Sequence, residues 1–142
     1  MRKRTQAREL ALQILYQLDL RGDEILDEMT AALAPGQGDP EMTDFARELV
    51  FGVREKKATI DRQIEEVAKN WQLKRMAAID RNILRLATFE LLYRDDIPPL
   101  VTINEAIDIA KKFSTKNSGP FVNGILDNIR LRAAPPGKQK KS

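Results

Sequence analysis

The first eight residues concentrate basic side chains that could bind phosphate groups. Arg2, Lys3, Arg4 and Arg8 occur there without an acid, and Tyr16 follows in the same predicted helix. Arg4 and Arg8 are four residues apart and share a helix face, and we expect Tyr16, about three turns on, near the same stripe. Guanidinium groups pair with phosphates, and an aromatic ring can stack an unpaired base. The pattern is typical of a nucleic-acid site, although solvated arginines and a packing tyrosine would give the same spacing.

A second polar cluster surrounds the predicted start of the last helix. Lys111, Lys112 and Lys116 flank a short polar loop, and Asn117 and Ser118 open the helix. A helix N-terminus carries free backbone N–H groups and is a natural phosphate site. An ordinary capped helix start with surface lysines explains the same residues equally well.

The composition argues against catalysis. The chain contains no cysteine and no histidine, which removes the usual nucleophile, general base and zinc ligands. Glu105 and Asp108 are explained by helix capping and by the helix dipole, and no glycine-rich phosphate loop occurs. We therefore expect a protein that is not an enzyme and that uses no metal or cofactor.

Basic charge is concentrated at the two ends of the chain. Residues 1–8 and 130–142 hold nine of the 24 basic residues and no acid, so the 21 acids all lie between them. Such a distribution is typical of a protein that binds a polyanion. No apolar segment is long enough to span a membrane or to form a signal core, and we expect a cytoplasmic protein.

Helical periodicity and punctuation predict an all-α fold of about seven helices in one compact bundle. The predicted helices cover residues 5–21, 24–33, 41–57, 59–70 and 77–94, then one from Thr102 and one from Ser118. Thr102 and Glu105 have the spacing of a capping box, and Trp71 is expected to be buried in a turn. We expect one domain over residues 1–133, followed by a basic disordered tail over 134–142.

Three segments resemble the NusB family of bacterial transcription antitermination factors. They are ARELALQILYQLDLRG (residues 7–22), NILRLATFELLYRDDIPPLVTINEAIDIAKKF (82–113) and FVNGILDNI (121–129). Together they cover about half the chain, in the family's order, and the INEA and FVNG strings are its most specific parts. The resemblance implies an all-helical protein with two three-helix subdomains.

The family also implies partners. Its members bind boxA, a single-stranded element in the leader RNA of ribosomal RNA operons, together with the ribosomal protein NusE. The complex helps RNA polymerase to resist termination, and members of the family occur as monomers or homodimers.

Carried over residue by residue, the family's arginine-rich helix start falls on Arg4 and Arg8, and its aromatic residue on Tyr16. Asp80 falls at the NusE surface, while Thr5 and Gln6 stand where arginines often appear in relatives, which affects affinity rather than function. The expected RNA-binding set is Arg2, Lys3, Arg4, Arg8, Tyr16, Lys112, Lys116, Asn117, Ser118 and Phe121. An Arg8→Glu substitution is expected to weaken RNA binding without unfolding the chain.

Two alternatives remain open at this point. The same helical module resembles the RNA-binding part of ribosomal RNA cytosine methyltransferases, although 142 residues leave no room for a methyl-donor domain and no catalytic cysteine exists. The other alternative is a protein scaffold whose basic ends bind nothing specific.

Overall fold

The computed structural model describes residues 2–69 and 71–133, which form six α-helices and no strand. Short 3-10 turns precede and follow the second helix, and a third one, Leu73–Arg75, precedes the fourth. The all-α prediction is confirmed, and the predicted tail over 134–142 lies outside the described residues. The helices are α1 (Lys3–Arg21), α2 (Leu26–Thr30), α3 (Pro40–Val67), α4 (Ala78–Tyr93), α5 (Pro99–Phe113) and α6 (Ser118–Ala133).

Helix α4 is the centre of the fold. Every residue from Asn82 to Leu91 is buried, as expected for a helix that is apolar around most of its circumference. It packs against α1 and α3 on one side and against α5 and α6 on the other. The two three-helix groups therefore share α4. In the described part of the chain, no helix is long and apolar enough to cross a bilayer.

Helix α3 is one continuous element of 28 residues, where the sequence analysis predicted two helices. The predicted break at residue 58 contains neither glycine nor proline. Val53, Ile60 and Ile64 are all buried, so one apolar stripe continues across that position. By contrast, the region predicted as a single second helix is divided into α2 and its two flanking 3-10 turns. Gly22 follows the last residue of α1 with a φ of +86°, which glycine adopts without strain, and the predicted end of this helix at residue 21 is confirmed.

Helix α5 begins at Pro99, three residues before the predicted start. Proline suits the first turn of a helix, because its missing N–H would have had no partner there. Thr102 is therefore inside the helix, and its hydroxyl donates to Glu90 at 2.8 Å. The predicted capping box between Thr102 and Glu105 is wrong, because both side chains bind groups on other helices.

Candidate nucleic-acid interface

The first turn of α1 is held against the start of α3. Lys3 Nζ lies 2.8 Å from Asp39 and 3.5 Å from Glu41. The guanidinium carbon of Arg4 lies 4.4 Å from the centre of the Phe45 ring, within the range of a cation–π contact. Both basic side chains remain about half exposed, at 51%. The basic arm, which we define as Lys3 and Arg4, is thus held by α3 and is still open to a ligand on its exposed side.

The hydrogen bond between Lys3 and Asp39 shifts the pKa values of both groups. The hydrogen bond to Asp39, and the charge of that carboxylate, raise the pKa of Lys3 above its ordinary value. The same hydrogen bond lowers the pKa of Asp39, helped by the backbone N–H of Glu41 that the carboxylate accepts. Asp39 therefore caps α3 and pairs with the arm at once.

Arg8 lies in the interior, so the expectation of an exposed phosphate ligand is wrong. Its Nε and Nη2 each donate to Glu90 at 2.8 Å, and its Nη1 donates to Glu105 at 2.8 Å. Thr102 adds a bond to Glu90, and Thr5 donates to Glu105 at 2.5 Å. Burial alone would lower the pKa of Arg8, but the two carboxylates outweigh it and the pKa is raised. Arg8 joins α1, α4 and α5, and its side chain is only 5% exposed, which leaves little of the guanidinium accessible to RNA.

Tyr16 lies on a different stripe of α1 from Arg4. Twelve residues are three and a third turns, which separates the two side chains by about 120° around the helix. Glu9 is seven residues from Tyr16 and shares its stripe, and Glu9 accepts from Lys112 Nζ at 3.0 Å. The half-buried Tyr16 therefore lies on the side of α1 that contacts Lys112, about 10 Å further along the helix axis than Glu9, and not on the side of Arg4.

The predicted RNA-binding residues at the α5–α6 junction differ in exposure. Lys116 and Asn117 are exposed. Ser118 is only 3% exposed, and its hydroxyl donates to Asp80 at 3.1 Å and contacts the hydroxyl of Ser114 at 2.9 Å. The hydroxyl of Ser118, which the sequence analysis placed in the RNA-binding set, is therefore buried and connects the start of α6 to the start of α4.

Asp80 is half-buried, and one of its carboxylate oxygens accepts from Ser118. The other oxygen, Oδ1, is buried without a hydrogen-bond partner among the described residues. Asp80 therefore holds α6 in place, and its assignment to a partner surface stays a prediction.

The structure reveals two exposed residues that the sequence analysis did not assign to the site. Trp71, expected to be buried, is 55% exposed and meets the Phe121 ring edge to face, with 5.7 Å between centroids. Arg75 lines the same open cavity of about 250 Å³, together with Asn117 and Phe121. The sequence could have indicated that this tryptophan lies at the surface, because its neighbours, residues 69, 70 and 72, are polar.

Helix α1 carries the first basic cluster and contacts the second, and we call the surface along these contacts the strip. Lys3 begins the strip, Glu9 contacts Lys112 near its middle, and Asp19 pairs with Arg81 at 2.7 Å near its end. Lys3 and Asp19 are sixteen residues apart, which corresponds to about 24 Å along the helix axis. Lys3 and Glu9 lie about 120° apart around α1, so the strip turns around the helix and is not a compact pocket.

The cations of this strip differ in how strongly carboxylates compensate them. Arg4 has a weak pairing, with 4.0 Å to Asp96. Arg2 and Lys116 are exposed and form no ion pair within the described ranges. These two residues are the cations most open to an incoming phosphate.

Comparison with known proteins gives one consistent result. A family model described as the NusB family matches residues 5–130. A Geotalea uraniireducens (strain Rf4) protein named transcription antitermination protein NusB is 50% identical over 140 residues, covering 91% of this chain and 94% of the relative.

Solved structures agree with this match. A structure described as T. maritima NusB has a TM-score of 0.87 and 42% identity, covering 96% of both chains. A structure described as antitermination factors NusB and NusE in complex with dsRNA has a TM-score of 0.78 and 30% identity, covering 92% of this chain and 98% of that one.

Proposed function

The chain belongs to the NusB family, and on this premise we propose that it is an RNA-binding transcription antitermination factor. In this proposal it binds the single-stranded boxA element of ribosomal RNA leaders, together with NusE, and helps RNA polymerase to resist termination. The observation that carries the proposal is the contact of Glu9 with Lys112, which sets the α5–α6 junction beside the basic first helix. The proposal implies a cytoplasmic protein, because leader RNA is transcribed there.

Phosphate groups are bound by the exposed cations of the strip and bases by its rings. The phosphate ligands are Arg2, Lys3, Arg4, Lys112 and Lys116, all of which are exposed. Tyr16 and Phe121, both half-buried, offer ring surface to unpaired bases, and the exposed amide of Asn117 offers a donor and an acceptor to a base edge. Arg8 and Ser118 support this surface from below and do not contact the RNA.

The ion pairs of the phosphate ligands imply that the protein without a partner binds RNA weakly. Several of the phosphate ligands already pair with carboxylates, so RNA must displace these before it gains a contact. A partner that adds its own basic surface would then raise affinity strongly. We place NusE near the start of α4, where Asp80 also lines the open cavity beside Trp71 and Phe121, so NusE and RNA would meet at this cavity. A homodimer that covered α1 would compete with RNA for the strip.

The alternative of a methyltransferase module is disfavoured by the relatives. The antitermination protein of Geotalea uraniireducens is matched over 94% of its own length, so the comparison extends over nearly all of that protein. An antitermination factor of this kind is not an enzyme. The scaffold alternative is distinguished from the proposal by RNA binding itself.

Fluorescence anisotropy with a labelled boxA oligonucleotide tests the proposal. A scrambled oligonucleotide of equal length and a boxA duplex serve as controls, each with and without NusE. We expect boxA to bind more tightly than the scrambled strand, NusE to strengthen binding, and affinity to fall steeply with salt. Equal affinity for both strands in the presence of NusE would refute sequence-specific binding, and no binding to either would favour a scaffold.

A further inference from the structure

We infer that Trp71 and Phe121 form a stacking subsite for one unpaired RNA base, with Arg75 beside it for the adjoining phosphate. The inference rests on the proposed function, because it names a further contact of the same RNA. It extends the binding strip beyond α1 and the α5–α6 junction to the turn that precedes α4.

The turn that carries the exposed Trp71 is held in place by hydrogen bonds and by buried neighbours. Its backbone N–H donates to the carbonyl of Ala68 at 2.8 Å, and the neighbouring Leu73 and Met76 are buried, at 5% and 6%. Arg81 donates to the carbonyls of both Leu73 and Met76, at 3.0 and 3.3 Å. The backbone from Trp71 to Met76 is therefore held by hydrogen bonds and by buried side chains.

The ring geometry leaves room for a base. Trp71 and Phe121 meet at an interplanar angle of 73°, which is an edge-to-face contact and leaves indole surface uncovered. The open cavity of about 250 Å³ lies between these rings and the polar side chains of Arg75, Asp80, Thr115 and Asn117. The carboxylate of Asp80 can accept from a base amino group, whereas Arg75 can pair with a phosphate. A planar base stacked on one ring would have its edge close to these polar groups.

Charge favours a nucleotide over an apolar segment of a protein. Arg75 and Lys116 are exposed and form no ion pair within the described part of the chain. Lys116 lies next to Thr115 and Asn117, which line the cavity. An aromatic face with unpaired cations at its rim is the combination that binds single-stranded nucleic acid.

Intrinsic fluorescence tests the inference directly, because Trp71 is the only tryptophan in the chain. The intact protein is titrated with unlabelled boxA RNA, with N-acetyltryptophanamide as the control for absorption by the RNA. We expect saturable quenching whose midpoint equals the dissociation constant from anisotropy. Normal RNA binding without a change in Trp71 emission would overturn the inference while leaving the proposed function intact.

Variants separate stacking from folding. We expect Trp71→Ala to weaken boxA binding by about 5- to 150-fold, the range for loss of one stacked base. Trp71→Phe should retain most of the affinity, because it keeps a ring. Leu100→Ala is the matched control, since Leu100 is equally exposed, at 54%, and lies at the opposite end of α5 from Lys112.

Two further outcomes would refute the stacking subsite. If Trp71→Ala, folded by circular dichroism, bound boxA as tightly as the Leu100→Ala variant, Trp71 would make no contact with RNA. If emission changed on adding NusE alone and not on adding RNA, the rings would belong to a protein interface. Absence of any RNA binding by the unmodified protein, with NusE present, would instead refute the proposed function itself.

Discussion

Arg4 and Arg8 have the same residue type and the same predicted helix face, but the fold gives them different environments. They are one turn apart on α1, and both guanidinium groups lie near the Phe45 ring, at 4.4 and 5.3 Å. Arg4 is half exposed, whereas Arg8 is buried. The difference comes from Glu90 and Glu105, which are 82 and 97 residues away in sequence. Spacing within one helix predicted their common face, but it could not predict carboxylates supplied by two other helices.

Replacing Arg8 with alanine should destabilise the fold. It leaves Glu90 buried with an uncompensated charge, and we expect a loss of about 3–5 kcal/mol in the free energy of unfolding. Arg2→Ala, at an exposed position, should change it by less than about 0.5 kcal/mol. Urea denaturation measures both, and equal stability of the two variants would contradict the structural role of Arg8. The Arg8→Glu change suggested by the sequence adds a third carboxylate to the cluster and would report unfolding.

Removing the carboxylate of Asp39 should strengthen RNA binding. Asp39→Asn retains an amide that can cap α3, because asparagine is as good a cap as aspartate. It removes the nearer of the two carboxylates that pair with Lys3 and leaves Glu41 at 3.5 Å. Exposed ion pairs contribute at most about 1 kcal/mol, so we expect up to about fivefold tighter binding at low salt. Asp44→Asn removes the same charge away from the arm and is the control. If both variants bound equally, the effect would be one of net charge alone.

Helices α3 and α4 are in close contact at Gly52 and Phe89. A β-carbon added at Gly52 would lie 2.3 Å from the Phe89 ring, so only glycine allows this approach. The sequence predicted the buried faces of both helices from their periodicity, and these predictions are confirmed. It predicted α3 as two helices, because local pattern does not show that α4 supports one continuous stripe. Short-range signals thus predicted the helices, whereas their ends and contacts depend on distant residues.

A glycine-to-alanine pair tests this contact. In a helix interior alanine is ordinarily favoured over glycine by about 1 kcal/mol. At Gly124 of α6 nothing lies within 4 Å of the added carbon, and we expect Gly124→Ala to stabilise by up to that amount. Gly52→Ala should instead destabilise by about 1–3 kcal/mol, because the Phe89 ring must move. Thermal melting of both variants measures the difference, and stabilisation at both positions would show that α3 and α4 are farther apart.

At the scale of the whole molecule, the strip joins the basic start of the chain to the junction between α5 and α6. The sequence predicted both basic clusters, and the fold sets Lys112 of the second beside Glu9 of the first helix. It did not predict that Arg8 and Ser118 lie beneath the surface or that Trp71 is exposed. Those outcomes depend on which helices cover each side chain, and this is a property of the assembled bundle.

The central claim is that cations at the start of α1 and at the α5–α6 junction contact one RNA strand. The most direct test is the salt dependence of boxA affinity in Arg2→Ala, Lys116→Ala and the double variant, with NusE held constant. Each lost phosphate contact should reduce the slope of log affinity against log salt by about 0.7, and the double variant should lose about twice that. Lys56→Ala and Lys57→Ala, on the exposed surface of α3, should leave the slope unchanged. Slopes equal to those of these controls in all three variants would contradict the account.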